Sequence, residues 1–238
     1  DALIAGFSNQ LREAIEIGKH ANINKPEADI RNVVVTGLGG SGIGGNLVSE
    51  FVGTELTVPF VVNKDYFIPT FVDEHSVVIV SSYSGNTEET QQAFSQALDR
   101  GAKVVCVSSG GKIIEKAKAL GLDHIIVPGG NPPRASLGYS IVQQLYVLYN
   151  LGLISNDFER QLKDAIALLD NDEVEIKGAA ETIAGQLHNK IPVIYTTTPM
   201  AAVGVRFRQQ INENSKMLCW HHVIPEMNHN ELVGWRNQ

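Results

Sequence analysis

Four hydroxyl side chains in two short glycine- and serine-rich stretches are placed to do chemistry. Ser41 lies in Gly37-Leu38-Gly39-Gly40-Ser41-Gly42-Ile43-Gly44-Gly45, and Ser82, Ser84 and Thr87 lie in Ser81-Ser82-Tyr83-Ser84-Gly85-Asn86-Thr87. Each hydroxyl can donate a hydrogen bond to a phosphate oxygen, and glycines such as Gly40 let backbone N–H groups come close to an anion. Neither stretch holds a Lys or Arg. Phosphate binding here therefore has to rest on hydroxyls and on the free N–H groups and macrodipole of a helix start.

The elements needed to hold these groups are visible on either side. Val33-Val34-Val35 and Val77-Val78-Ile79-Val80 are continuous apolar runs, the pattern of parallel strands buried on both faces, and each is followed by one of the two stretches and then by a helical segment. Both loops thus fall at the carboxyl ends of strands, where open α/β sheets bind ligands. Gly37-x-Gly39-x-x-Gly42 also satisfies the dinucleotide fingerprint, with Asp65 after the next strand as a displaced candidate for the ribose hydroxyl. That reading gives the second, serine-rich loop no role, whereas two hydroxyl loops on parallel strands suit one phosphate monoester.

Composition narrows the class. The 238 residues are 43% hydrophobic and 19% charged with a net charge of −7, as in an ordinary globular enzyme, and no basic run offers a footing for nucleic acid or an anionic membrane. No stretch has the apolar length of a membrane span, and Asp1-Ala2-Leu3-Ile4-Ala5-Gly6-Phe7 does not resemble a secretory signal. Cys106 and Cys219 form no metal or redox spacing, so a cytoplasmic location is expected. The absence of an initiator Met suggests a trimmed chain.

Strand and helix signals alternate. A helix is expected over residues 3–21, strands near 33–35, 58–62, 77–80, 103–107 and 124–127, and helices over about 43–52, 86–100 and 112–120. This β-α-β-α order predicts an α/β fold with a doubly wound parallel sheet. The breaker-rich Pro128-Gly129-Gly130-Asn131-Pro132-Pro133 leads into Arg134 and a helical stretch to about Leu187. A new strand at 192–196 and a helix over 201–212 repeat the strand, hydroxyl loop and helix order. Two units are expected, 1–150 with the leading helix and phosphate loops, and 151–238 as the start of a second, incomplete one, because roughly fifty residues after Leu187 are too few for a full domain of that kind.

Five motifs then carry a resemblance. Gly39–Gly45, Ser82-Tyr83-Ser84-Gly85-Asn86-Thr87-Glu88-Glu89-Thr90, Pro133-Arg134, Gln210-Ile211-Asn212-Glu213-Asn214 and Asn228-His229-Asn230-Glu231 resemble, in this order, the motifs of the bifunctional phosphoglucose/phosphomannose isomerases of the sugar isomerase (SIS) superfamily. The resemblance implies two SIS subdomains, here with the second truncated, a homodimer that completes the active sites, and no cofactor. It implies reversible conversion of glucose 6-phosphate, and of mannose 6-phosphate, to fructose 6-phosphate.

Aldose to ketose conversion needs a carboxylate that takes a proton from carbon 2 and returns it to carbon 1 through a cis-enediol. Glu213 matches the family's base, Arg134 the family's cation beside the developing oxyanion, and His229 the histidine that opens the sugar ring, reached from the partner subunit. The phosphate falls to Gly40, Ser41, Ser82, Ser84 and Thr87. His221, His222, Glu226, His229 and Glu231 lie close enough in sequence to suggest a metal, but their spacing is not a zincin's and Pro225 breaks the helical face, so no metal is expected. The family's active-site lysine and the hydroxyl associated with the mannose epimer are expected beyond Gln238, and Asn46 stands where Asp is commoner. Two rivals remain: a noncatalytic SIS module that senses a sugar phosphate, which leaves Glu213, Arg134 and His229 unexplained, and a ketose to amino-sugar isomerase.

Overall fold

β1 (Asn32–Thr36) and β3 (Ser76–Ser81) form the centre of a five-stranded, wholly parallel sheet in which β2 (Phe60–Asn63) lies outside β1, and β4 (Lys103–Ser108) and β5 (Asp123–Ile126) lie outside β3. The order is β2-β1-β3-β4-β5. The computed structural model describes residues 2–237 and divides into two compact units, one ending at Asp170 and the other starting at Asn171.

Every side chain of β3 is buried, and Val33, Val34 and Val35 of β1 are fully shielded from solvent. This is what apolar runs without alternation require, because each strand must satisfy an apolar layer on both faces. On one face Val33, Val35, Val77 and Ile79 pack with Leu11, Ala14 and Ile15 of α2 (Phe7–Lys19) and Val48 of α3 (Gly39–Phe51). The same layer takes in Val142 and Leu145 of α6 (Leu137–Asn150) and Phe158 and Ile166 of α7 (Asp157–Asn171). On the other face Val34, Val78 and Val80 meet Phe94 of α4 (Glu88–Asp99) and Ile113 of α5 (Gly111–Ala119). The sheet is doubly wound, as the alternation of elements requires.

Three details differ from the sequence pattern. The leading helix is broken at Gly6 into a single turn, α1 (Ala2–Ala5), and α2. The third helix begins at Gly39, inside the glycine run, rather than near Ile43, so most of that stretch is helix and the connecting loop is only Gly37-Leu38. The break between the units falls after Asp170, whereas the expected units meet at 150/151; the intervening α7 buries Phe158 and Ile166 in the first core, with Phe158 edge-on to Tyr146 at 5.0 Å.

The second unit contains α8 (Glu173–Leu187) and a parallel pair of strands, β6 (Val193–Thr197) and β7 (Trp220–Ile224). Between them run a 3-10 turn (Thr198–Met200), α9 (Ala201–Gln210) and a π-helical turn (Ile211–Ser215), which Lys216 ends in the left-handed conformation. After β7 comes α10 (Glu226–Gly234) and a last 3-10 turn (Trp235–Asn237). No helix among the described residues is long and apolar enough to cross a membrane.

Candidate active site

The strand order reverses between β1 and β3. At such a switch point the connections leave to opposite faces of the sheet and open a crevice at the strands' carboxyl ends. The loop after β1 feeds α3 on one face, and the loop after β3 feeds α4 on the other. Both helix starts therefore border this crevice, and neither carries a side-chain cap, so their first N–H groups face no competing side-chain oxygen. Glu88 and Glu89 in the first turn of α4 already offset its macrodipole, whereas the first turn of α3 holds no acid. The α3 end thus offers the stronger electrostatic pull on an anion, and the α4 side supplies mainly hydroxyls.

The hydroxyls are ordered by the protein itself. Ser41 is buried, and its Oγ accepts a hydrogen bond from the Tyr83 N–H at 3.3 Å, which ties the first loop to the second and leaves the Ser41 proton to be donated elsewhere. Ser82 Oγ and Thr87 Oγ1 are 3.0 Å apart, so one hydroxyl donates to the other and one proton of the pair stays available. Ser84 Oγ is exposed and accepts from the Asn86 N–H at 3.3 Å. Gly40 lies against the turn that follows the breaker-rich segment; a Cβ built on it would come 3.0 Å from the Pro133 carbonyl oxygen.

That turn is a single 3-10 turn (Pro133–Ala135), with Arg134 exposed at its centre. A cleft lined by Gly40, Ser41, Ser81, Tyr83, Pro133 and Ser140 lies where the two loops, this turn and the start of α6 meet. The first unit thus brings Gly40, Ser41, Ser82, Ser84, Thr87 and the Arg134 turn to one end of one sheet. Spacing gave no sign of Lys64, which follows β2 and donates to Asn46 Oδ1 on α3, placing an ammonium beside a first loop that has no cation of its own.

In the second unit Glu213 lies in the π-helical turn that prolongs α9, with its side chain exposed. A π-turn inserts a residue into the helical ladder and is common at functional sites. Burial lowers the pKa of Arg206, and the negative charge of Glu213 works in the opposite direction, so the two are electrostatically coupled. His229 is exposed on α10.

Helix α10 is fixed by a cluster that includes His222 and Glu231, two of the residues whose spacing argued against a metal site. Glu231 accepts from the Tyr195 hydroxyl of β6 and pairs with His222 Nδ1 of β7, and Trp235 Nε1 donates to the Tyr195 hydroxyl at 3.1 Å. The Tyr195 bond is the main reason that the Glu231 carboxyl lies below its ordinary pKa, with His222 adding to the effect. His221 Nε2 is 2.7 Å from Thr196 Oγ1, and burial first, then the nearby Arg208 and His222, lower its pKa. Among the described residues no group of three His, Cys, Asp or Glu is arranged to hold a metal ion.

Comparison with known proteins finds relatives over most of the chain. Residues 176–238 match the family model described as bacterial phospho-glucose isomerase C-terminal SIS domain. A bifunctional phosphoglucose/phosphomannose isomerase of Caldicellulosiruptor bescii is 42% identical over 97% of this chain and 70% of its own. A D-glucosamine-6-phosphate 4-epimerase of Sulfolobus acidocaldarius is 32% identical over 85% of this chain and 63% of its own. In fold, a crystal structure from Clostridium difficile assigned to a phosphosugar isomerase superposes with a TM-score of 0.79 at 18% identity, covering 98% of this chain and 70% of that one.

Proposed function

The chain belongs to the bifunctional phosphoglucose/phosphomannose isomerase family, and from that premise we propose that it is an aldose–ketose isomerase interconverting glucose 6-phosphate and mannose 6-phosphate with fructose 6-phosphate. The observation that carries this reading at the level of the site is the meeting of two hydroxyl loops at the switch point of the sheet, with the Arg134 turn against the first of them.

In this mechanism the phosphate monoester binds to the N–H groups of the α3 start, to Gly40, and to the free protons of Ser41, Ser84 and the Ser82–Thr87 pair. His229 supplies the proton traffic for ring opening, from the second subunit of a homodimer. The Glu213 carboxylate then takes the proton from carbon 2 of the aldose; the electron pair left behind forms the C1–C2 double bond, and the carbonyl electrons move onto oxygen 1. Arg134 stabilises the enediolate charge. Glu213 returns the proton to carbon 1 as the oxygen 2 hydroxyl passes its proton to oxygen 1 and becomes the ketone carbonyl. One carboxylate can serve both carbons because they are adjacent and the intermediate is cis, so the proton travels a short path. The expected setting is the cytoplasm, where the sugar phosphates would be available.

The test is an assay of the full natural polypeptide with fructose 6-phosphate in the presence of chelator, with separate enzymatic detection of glucose 6-phosphate and mannose 6-phosphate. Both products are expected. Glu213→Gln should retain sugar-phosphate binding and lose turnover by several orders of magnitude, and loss of binding without a specific turnover defect would refute Glu213 as the base. Binding with no product would favour the sensor reading, and epimerisation of glucosamine 6-phosphate at carbon 4 would favour the activity named for the Sulfolobus relative.

A further inference from the structure

We propose that Gln10 and the hydroxyl of Tyr83 are positioning residues for Arg134, clamping the segment that carries it from two sides and fixing where its guanidinium is presented to the phosphate crevice. This inference rests on the role given to Arg134 above.

The segment 128–136 has little means of holding itself. It follows β5, belongs to no ladder, contains three prolines that lack an N–H, and has only one 3-10 turn of regular structure, a geometry that does not persist without support. Within it Ser136 Oγ donates to the Pro132 carbonyl at 3.3 Å, and its ties to the rest of the unit include side-chain bonds from distant elements. The Tyr83 hydroxyl donates to the Pro128 carbonyl at 2.9 Å and accepts from the Asn131 N–H at 3.2 Å. On the other side of Arg134, Gln10 Nε2 donates to the Ala135 carbonyl at 2.8 Å, and Gln10 Oε1 accepts from the Gly138 N–H at 2.8 Å. Arg134 lies between the two clamps.

Gln10 is out of place on the buried face of its helix. It sits on α2 among the apolar positions Leu11, Ala14 and Ile15, only 8% exposed, where a carboxamide costs free energy unless both ends are bonded. Both ends are bonded, and both partners belong to the Arg134 segment or the start of α6. Gly138 makes room for this, since a Cβ there would lie 2.7 Å from Gln10 Oε1. Tyr83 has a second attachment: its N–H donates to Ser41 Oγ, and its carbonyl accepts from the Ser109 N–H at 3.0 Å. One residue thus spans the phosphate loops and the arginine segment, so the distance between anchored phosphate and cation depends on the Tyr83 side chain.

The test compares Tyr83→Phe and Gln10→Met with the wild-type full natural polypeptide, alone and combined with Arg134→Ala, measuring kcat, KM for fructose 6-phosphate and the melting temperature. Tyr83→Phe removes one oxygen and leaves the ring and backbone in place, and Gln10→Met keeps the length of the side chain. Each is expected to lower kcat by about tenfold, the scale of a sub-ångström misplacement, with KM within about twofold because the phosphate anchors are untouched. In the Arg134→Ala background neither should lower kcat further. Unchanged kcat in both variants, or losses that multiply fully with Arg134→Ala, would overturn the proposal. Arg134→Ala with wild-type kcat would instead remove the arginine's role, and the positioning role with it.

Discussion

Placing a methyl group at Gly37 tests whether the two loops act as one phosphate site. A Cβ built on Gly37 would lie 2.5 Å from the carbonyl oxygen of Ser81, at the root of the second loop, and 3.1 Å from the Cβ of Ser41 in the first. Neither neighbour is the free end of a flexible side chain. Raising the closer contact from 2.5 Å to between 3.0 and 3.4 Å needs a shift of about 0.5–0.9 Å, which separates β1's loop from β3's. Overpacking of this kind costs roughly 1–3 kcal/mol of stability. A misplacement approaching 1 Å costs up to about 100-fold in catalysis. Gly37→Ala should therefore lower kcat/KM for fructose 6-phosphate by about 10–100-fold, mainly through KM. Gly121→Ala is the control: Gly121 has φ +65° and nothing within 4 Å of the added Cβ, so the methyl costs about 1–2 kcal/mol of left-handed strain and touches neither loop. Kinetics and melting temperatures of both variants, with and without inorganic phosphate, separate fold from site. If Gly37→Ala raises KM no more than Gly121→Ala, the two loops do not share one phosphate.

Further outcomes follow from the cluster on α10 and from the buried thiols. The lowered pKa of Glu231 means that its stabilisation is fully present above its ordinary value of 4.5 and is lost as the pH falls through the lower folded value. Glu231→Gln should therefore melt earlier than wild type near neutral pH, and the gap should close below about pH 4; both tryptophans, Trp220 and Trp235, lie in the second unit and report its melting by fluorescence, and a gap independent of pH would refute the carboxylate's contribution. Burial pushes the Cys106 thiol up to about 12, so iodoacetamide at about pH 8 should label it only at the rate of unfolding, and rapid labelling of the native protein would contradict the packing of β4.

The parts of the structure that could be read from sequence were those whose physics is local. Val33–Val35 and Val77–Val80 have no polar alternation, and only strands buried on both faces tolerate that, so the sheet and the positions of both loops followed. The start of α3 was hidden because a run of glycines argues against helix, and only the tertiary structure supplies the counterweight: Gly42, Gly44 and Gly45 are all buried, and the absence of side chains lets α3 lie close to its neighbours. Strand β7 was hidden for a different reason. Its burial alternates between exposed and intermediate, and its paired histidines drew attention as ligands rather than as strand residues that reach Thr196 and Glu231. Gln10 could not be found from periodicity, because its partners Ala135 and Gly138 are more than 120 residues away and its value lies wholly in that contact.

The same distinction bears on a cradle made mainly of hydroxyls and backbone N–H groups, with Lys64 held beside it by Asn46. A phosphate held by Lys or Arg side chains would tolerate small changes in backbone spacing, because flexible stems can follow the anion. A phosphate held by helix-start N–H groups and by hydroxyls already bonded to one another has no such slack. Ser41 is set by Tyr83, and Ser82 by Thr87, so the donors are positioned before the ligand arrives and little ordering remains to be done on binding. In the proposed mechanism such an anchor would set the reach from the phosphate to the Arg134 turn, which lies against Gly40 of the first loop. An anchor of this kind has definite weak points. They are the backbone contacts at Gly37 and Gly40 and the clamps on the Arg134 turn, rather than any surface charge, in a chain whose net charge of −7 would by itself repel the substrate.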